Sequence, residues 1–171
     1  MKKYKLLIIF IFTNILSFNA VYAECAFSGF EIGGDSSEAI EIYGEPIENI
    51  NAELEEDSIS LYIEVDFKII CSEFGIEDGT VSIILLGDII AGFLIEAFTK
   101  VDDPNIEEKL IYYYIKENHQ DFIKKIEDPD WTGGAYWKTN ENKFYYDKHI
   151  IGKKTIKEKL LITNSEMAKY L

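Results

Sequence analysis

Residues Ile59–Cys71 read ISLYIEVDFKIIC, and this alternating stretch decides the fold class. Its large apolar residues occupy every second position, whereas mostly polar residues such as Glu64 and Lys68 occupy the positions between them. A period of two is typical of a β-strand with one face on the core and the other in water. We therefore predict a strand over this stretch, with Cys71 on its buried side.

Turn signals divide the sequence that follows into further strands. Asp78-Gly79 and Gly87-Asp88 bracket the apolar run 81–86, and a second apolar run covers 89–98. Glycine beside aspartate favours tight hairpin turns, so these runs predict a three-strand meander. Three more strands are predicted in the last third of the chain, over 134–139, 143–148 and 155–163. Five to six strands joined by short turns favour a mostly antiparallel sheet.

Two helices are predicted beside this sheet. A short N-terminal helix over Ser37–Tyr43 ends at Gly44 and Pro46, which stop helices. Apolar residues at helical spacing predict one long amphipathic helix over Ile106–Ile126. The expected fold class is α+β, with a mostly antiparallel sheet packed against the long helix and with the short helix near the N-terminus.

The N-terminus has the order of a cleavable signal peptide. Three lysines precede the apolar run 6–12, and Val21 and Ala23 provide the residues that signal peptidase accepts. An uncleaved membrane anchor is the alternative, but Thr13 and Asn14 interrupt the apolar run well short of about 20 residues. We expect a signal peptide over residues 1–23, a single acidic domain over residues 24–171, and an exported protein that is periplasmic or secreted.

Two cysteines follow the predicted cleavage site, Cys25 and Cys71. Exported proteins keep disulfides, so one bridge between these residues is expected; two buried free thiols are the alternative. The bridge would close a loop of 46 residues.

The charge of the chain restricts its partners. The net charge is −14, it becomes −17 when the three lysines of the signal peptide leave, and the sequence contains no arginine. Nucleic acids and anionic membranes need cationic surfaces, so both are disfavoured as partners, and no membrane span is expected after cleavage. A basic protein, a cationic peptide or metal cations fit this charge, and the alternative is that the charge serves only solubility.

No sequence motif indicates catalysis, a metal site or a cofactor. Nucleophile elbows, phosphate loops, dinucleotide fingerprints and metal-ligand spacings are all absent from the sequence. His149 is close to Asp147 in the sequence, but we expect the strand geometry to place them on opposite faces. The carboxylates of Asp128 and Asp130 precede a glycine turn and offer either a weak calcium site or the end of a helix. We therefore predict no catalytic residue, no metal and no cofactor.

Aromatic residues are concentrated in the last third of the chain and on the predicted long helix. Three consecutive tyrosines on a helix span about 200°, so we expect at least one of residues 112–114 to be exposed. The aromatic residues that we assign to a binding surface are Trp131, Tyr136, Trp137, Tyr145 and Tyr113. Exposed aromatic anchors beside charged residues are typical of protein-binding faces. The alternatives are sugar stacking and a purely structural cluster.

These features together predict an exported, non-enzymatic binding protein, such as an inhibitor or immunity protein for a cationic partner protein. One alternative is a structural or accessory factor of the cell envelope. The other is a glycan-binding or hydrolytic protein that uses the aromatic and acidic C-terminal third. The sequence leaves the oligomeric state open.

Overall fold

The computed structural model describes Cys25 and residues 29–48, 61–72, 75–106, 110–118 and 131–171. The predicted signal peptide, over residues 1–23, lies outside this part of the chain, as do Asp128 and Asp130. Within the described ranges, no helix is long and apolar enough to cross a bilayer.

The residues that the structure describes form one antiparallel sheet of seven strands, of which β1 contributes only two residues. The strands are β1 (Ile47–Glu48), β2 (Leu61–Asp66), β3 (Gly79–Leu86), β4 (Ile89–Lys100), β5 (Gly133–Lys138), β6 (Asn142–Ile151) and β7 (Thr155–Asn164). Their order across the sheet is β1-β2-β3-β4-β7-β6-β5, which places β1 and β5 at the two edges. The prediction of a mostly antiparallel sheet is confirmed, and every strand predicted beyond residue 80 is present.

Tight turns create the hairpins of this sheet. Gly87 (φ 60°) lies between β3 and β4, and Gly152 (φ 59°) lies between β6 and β7. Both have the left-handed backbone that hairpin turns require and that glycine adopts without steric cost. The predicted meander of β2, β3 and β4 is therefore confirmed.

Helices cover only one face of the sheet among the described residues. The helices are α1 (Ser37–Tyr43), α2 (Phe67–Ile70) and α3 (Ile111–Asn118), and a 3-10 turn follows at Met167–Lys169. Ala39 of α1 and Ile111 and Ile115 of α3 belong to the same buried cluster as Ile83 of β3 and Leu160 of β7. We call this helix-covered side the inner face and the opposite side the outer face. The core therefore lies between the inner face and the helices.

The predicted strand over Ile59–Cys71 is too long. β2 ends at Asp66, whose carboxylate accepts a hydrogen bond from Lys68 N at 2.8 Å and so begins α2. After Asp66 the burial follows helical spacing, since Ile69 is 70% exposed whereas Ile70 is 2% exposed. Asp66 thus acts as the N-cap of one helical turn, and the strand predicted beyond it is not formed. Cys71 is buried, as predicted.

The predicted disulfide is confirmed. Cys25 and Cys71 are both buried, with an S–S distance of 2.11 Å, and Cys71 directly follows α2. The bridge therefore attaches the segment that precedes α1 to the core. A disulfide is consistent with an oxidising compartment.

The prediction of one helix over Ile106–Ile126 is wrong at its start. α3 begins at Ile111, five residues later, because the carboxylate of Glu158 accepts hydrogen bonds from Ile111 N and Tyr112 N. Asp103 caps a separate turn by accepting a hydrogen bond from Asn105 N at 2.9 Å. The described part of α3 has eight residues, and residues 119–126 lie outside the described ranges.

Replacing both cysteines by alanine should lower the free energy of unfolding by about 4 kcal/mol, because the bridge closes a 46-residue loop in the unfolded chain. Urea unfolding of the oxidised protein and of the Cys25→Ala/Cys71→Ala variant measures this difference. A loss below about 1 kcal/mol would show that the bridge does not restrict the unfolded chain in this way.

Candidate functional site

Strand alternation separates the aromatic residues that the sequence groups together. Successive side chains of a strand point to opposite faces, so Tyr136 and Trp137 lie on different faces of β5. Tyr145 of β6 is directly opposite Tyr136 and therefore shares its face. The five aromatic residues of the predicted binding surface do not form a single surface.

The tryptophans belong to the inner face and the core. Trp137 is 7% exposed and stacks on Phe144 with ring centroids 5.3 Å apart. Trp131 stacks on Tyr146 with centroids 6.0 Å apart and is partly buried. Tyr113 is also partly buried against the core, and none of the tyrosines at 112–114 belongs to the exposed residues. The expectation that at least one of these three would be exposed was wrong.

The outer face carries a row of apolar and aromatic side chains that we call the tyrosine trough. It consists of Leu94, Leu161, Tyr145 and Tyr136, which are neighbours on β4, β7, β6 and β5 in that order. Tyr136 is 53% exposed and Tyr145 is 42% exposed, and their ring centroids are 4.9 Å apart. The trough lines a shallow depression of about 450 Å³. This depression is the candidate functional site.

A row of charged residues runs beside the trough, and each of its positions is two residues away from a trough residue on the same strand. It consists of Glu96, Lys159 and Asp147, which are opposite one another on β4, β7 and β6, and it ends at Gly134 of β5. Lys159 Nζ is 2.8 Å from Glu96 Oε1, and Lys157 Nζ is 3.2 Å from the same oxygen. Burial alone would raise the pKa of Glu96, but the two lysines outweigh it and hold this pKa below its usual value.

His149 and Asp147 form a pair at the end of this face, since His149 Nε2 is 2.7 Å from Asp147 Oδ2. The prediction that strand geometry separates them was wrong, because residues two positions apart on a strand share a face. Both side chains are solvent-exposed, at 59% and 40%.

Charge is distributed unequally between the two sides of the molecule. The charged residues whose strand positions place them on the outer face are Lys100, Lys138, Lys143, Lys157, Lys159, Glu64, Asp66, Glu96 and Asp147. These five lysines and four carboxylates nearly cancel. By contrast, residues 29–48, which include α1, contain six carboxylates and no lysine. The tyrosine trough therefore lies on a nearly neutral face of an acidic protein.

A buried polar cluster on the inner face holds α3 against the sheet. Glu158 is 1% exposed and accepts hydrogen bonds from Ile111 N (2.9 Å), Tyr112 N (3.1 Å) and the Tyr146 hydroxyl (2.5 Å). Lys148, also buried, is opposite Glu158 on β6. Burial raises the pKa of Glu158, and the three hydrogen bonds and Lys148 offset part of this effect. The Glu158 carboxylate already accepts hydrogen bonds from the helix and from Tyr146, which indicates a structural role.

The stability that Glu158 provides should depend on pH. Because its native pKa is raised above 4.5, the native protein holds this proton more tightly than the unfolded chain does. Its favourable contribution is therefore complete below about pH 4.5 and is lost as the pH rises through the native pKa. Thermal or urea unfolding of the wild type and of Glu158→Gln should show the wild type losing stability relative to the variant as the pH rises.

The matched control is Glu141→Gln, an exposed position in the β5–β6 turn, which should change the free energy of unfolding by less than about 0.5 kcal/mol. A wild-type protein that instead gains stability over Glu158→Gln as the pH rises above 4.5 would contradict the raised pKa.

A second concavity of about 650 Å³ lies on the inner face, lined in part by Phe30, Phe93 and Asn164. The Asn164 side chain is already bonded to the protein at both ends: its Nδ2 donates to Ile32 O, and its Oδ1 accepts from Glu166 N and Met167 N. This polar group therefore holds the N-terminal segment and the C-terminal turn in place, and it is not directed toward a ligand.

Sequence reasoning identified Tyr136 and Tyr145 but missed the residues that complete the site. Leu94 lies in a run that is apolar at almost every position, so alternation does not show which side chains face outward. Leu161 lies in a similar run. The signal that could have found them is strand pairing, because the register places both leucines in line with the two tyrosines.

A comparison of the chain with protein-family models, curated proteins and solved structures finds no match. The geometry of the tyrosine trough is therefore the basis on which a function can be proposed.

Proposed function

We propose that this protein is an exported, non-enzymatic binding protein that recognises a partner protein through the tyrosine trough. The observation that carries the proposal is the exposed pair of Tyr136 and Tyr145 on the sheet face that the described helices leave uncovered. Tyrosine is enriched among the residues that contribute most of the energy at protein interfaces, because it buries a large area at a small cost in side-chain entropy.

The surroundings of the trough suit a partner protein. Leu94 and Leu161 extend the apolar surface away from the tyrosines, and the charged row lies along one side of it. Lys159 and Glu96 already form an ion pair. A partner that covers this side of the trough would therefore bury neither charge without its counter-ion. An apolar centre with a polar border is the usual anatomy of an interface.

Two sequence features support export as part of this proposal. The first is the signal-like order of residues 1–23, and the second is the bridge between Cys25 and Cys71.

The tyrosine trough lies on paired strands, so its shape is fixed before a partner binds, which reduces the entropic cost of binding.

Changing both trough tyrosines to alanine should weaken partner binding by about 30-fold or more, the effect of losing an interface anchor. The wild type, Tyr136→Ala/Tyr145→Ala and Tyr170→Ala are each immobilised and exposed to an extract of the source cells. Bound proteins are identified by mass spectrometry, and their affinities are then measured with purified components. Tyr170 is 52% exposed and does not line the depression, so it is a matched control for an exposed tyrosine.

The proposal requires a partner that the wild type and Tyr170→Ala retain and that the double variant loses. Equal binding of that partner to the double variant would exclude the trough as the recognition surface. A ligand that proves to be a glycan instead of a protein would exclude the protein-partner assignment.

A second candidate function is binding of a cationic partner protein, such as a basic hydrolase or toxin, at the acidic segment of residues 29–48. Its six carboxylates are accompanied by two exposed isoleucines, Ile42 (56%) and Ile47 (52%). Exposed apolar residues among like charges combine contact area with electrostatic steering. Because this segment is on the helix-covered side, it is a different surface from the tyrosine trough.

If this second function holds, a basic muramidase should bind in low salt and dissociate as salt rises, since screening weakens exposed charge pairs. The variant Glu38→Gln/Glu41→Gln/Glu45→Gln should reduce the association rate measured by surface plasmon resonance. Glu141→Gln/Glu166→Gln, which also removes carboxylates, is the control and should leave it nearly unchanged. No salt-sensitive complex with basic envelope enzymes would count against a cationic partner.

A further inference from the structure

Among the described residues, β5 pairs with β6 along one edge and with no strand along the other. The β5–β6 hairpin closes with Thr139 N donating to Asn142 O at 2.8 Å. Hydrogen-bonded and non-hydrogen-bonded positions alternate along an antiparallel pair, so every second residue of β5 directs its N–H and C=O away from β6. The residues that do so are Gly134, Tyr136 and Lys138. Within the described ranges, their backbone groups bond to no other element.

We propose that a second copy of this chain pairs antiparallel with the open edge of β5, with Tyr136 opposite Tyr136 of the second copy. This register is the two-fold arrangement that uses all three open residues, because Gly134 then lies opposite Lys138 of the second copy and Lys138 opposite its Gly134. A shift by two residues leaves one of the three unpaired. Two-fold pairing of identical edges gives a closed dimer.

Charge complementarity favours a second copy as the occupant. The charged row of the outer face alternates in sign from Glu96 through Lys159 to Asp147, and it then reaches Gly134, which has no side chain. Asp147 Oδ2 binds His149, whereas Asp147 Oδ1 lies 4.0 Å from the position a Cβ would take at Gly134. One carboxylate oxygen of Asp147 thus lies beside Gly134 and toward the open edge.

The proposed register places Lys138 of the second copy directly beyond Gly134. The α-carbons of Asp147 and that lysine are then about 10 Å apart, the sum of one narrow and one wide antiparallel spacing. An aspartate and an extended lysine span this distance, and Gly134 presents no side chain between them. The alternation of charges across the sheet would continue into the second copy, once on each side of the two-fold axis.

The same pairing offsets an unfavourable contact within one chain. Lys138 and Lys143 are directly opposite each other on β5 and β6, and like charges at such positions repel. Neither lysine forms an ion pair in the described part of the chain. A carboxylate from a second copy near Lys138 reduces this repulsion.

Tyr136 contributes apolar contact at the centre of the interface. It is 53% exposed, and in the dimer it would lie against Tyr136 of the second copy. The two tyrosine troughs would then form one continuous row across both copies. Tyr136 belongs both to the trough and to this interface, but the dimer forms through the backbone edge of β5, so its test needs no partner protein.

A lysine on an edge strand can also act against pairing, because its charge discourages other strands from docking. The two roles give different results when Lys138 is changed. If the lysine only protects the edge, either the wild type does not dimerise or Lys138→Glu does not change its dimerisation. A second substitution then has no dimer to restore. If the lysine pairs with Asp147, its reversal disrupts a dimer that the wild type forms.

Sedimentation equilibrium of the purified, disulfide-bonded protein tests the proposal in moderate salt, which screens the repulsion between two chains of net charge −14. The wild type should form a dimer as its concentration rises. Lys138→Glu and Asp147→Lys should each raise the dimer dissociation constant by at least about 10-fold, because each places like charges together twice. An equimolar mixture of the two variants should dimerise again, since each contact then joins opposite charges.

Restored dimerisation of the mixture also shows that both variants are folded. Amide hydrogen exchange supplies a second readout, in which the N–H groups of Gly134, Tyr136 and Lys138 should become protected only at concentrations where the dimer forms. A wild type that stays monomeric up to millimolar concentration overturns the proposal. So does a mixture that fails to associate, or a dimer in which these three amides still exchange rapidly.

Discussion

The structure depends on one constraint, which is that an antiparallel sheet has two faces and the described helices and N-terminal segment cover only the inner one. That cover is fixed from both ends of the chain. The bridge between Cys25 and Cys71 attaches the N-terminal segment to the core, and Asn164 bonds to Ile32 from the end of β7. Leu171 lies against Gly92 at one end of the outer face, but around the trough tyrosines this face has to be stable in water without a covering layer. Salt bridges such as Glu96 with Lys159 meet this requirement, although apolar side chains are also exposed there, both in the tyrosine trough and at Phe98 and Ile151.

A single buried carboxylate connects the cover to the sheet. Glu158 takes the place of a local N-cap for α3. It accepts hydrogen bonds from the first two backbone N–H groups of this helix, although it lies more than forty residues away in the sequence. It also orients Tyr146 of β6, the neighbour in sequence of Tyr145. On its inner face β6 thus binds the carboxylate that holds the helix, through Tyr146, and on its outer face it presents Tyr145 of the trough. Disturbing the cluster would affect both sides of the sheet.

Most of the sheet could be predicted because alternation and turn residues are local signals. The ends of elements could not, since they depend on side chains that act on the backbone: Asp66 ends β2, and Glu158 begins α3 from a remote strand. The two tyrosines of the site were found by composition alone. The separation of Tyr136 from Trp137 follows from the alternation of faces along β5, which can be read from the sequence. Leu94 and Leu161, by contrast, join the two tyrosines only through the pairing register.

In this structure Tyr136 and Tyr145 are open to solvent on the outer face, while Tyr146 and Trp137 beside them are buried. Nitration of the native protein by tetranitromethane, followed by peptide mass spectrometry at concentrations too low for self-association, tests this difference directly. Tyr136 and Tyr145 should be modified rapidly, whereas Tyr114 and Tyr146, which are 6% and 2% exposed, should be protected. Protection of Tyr136 and Tyr145 in the native monomer would contradict it, because another part of the chain would then cover the outer face.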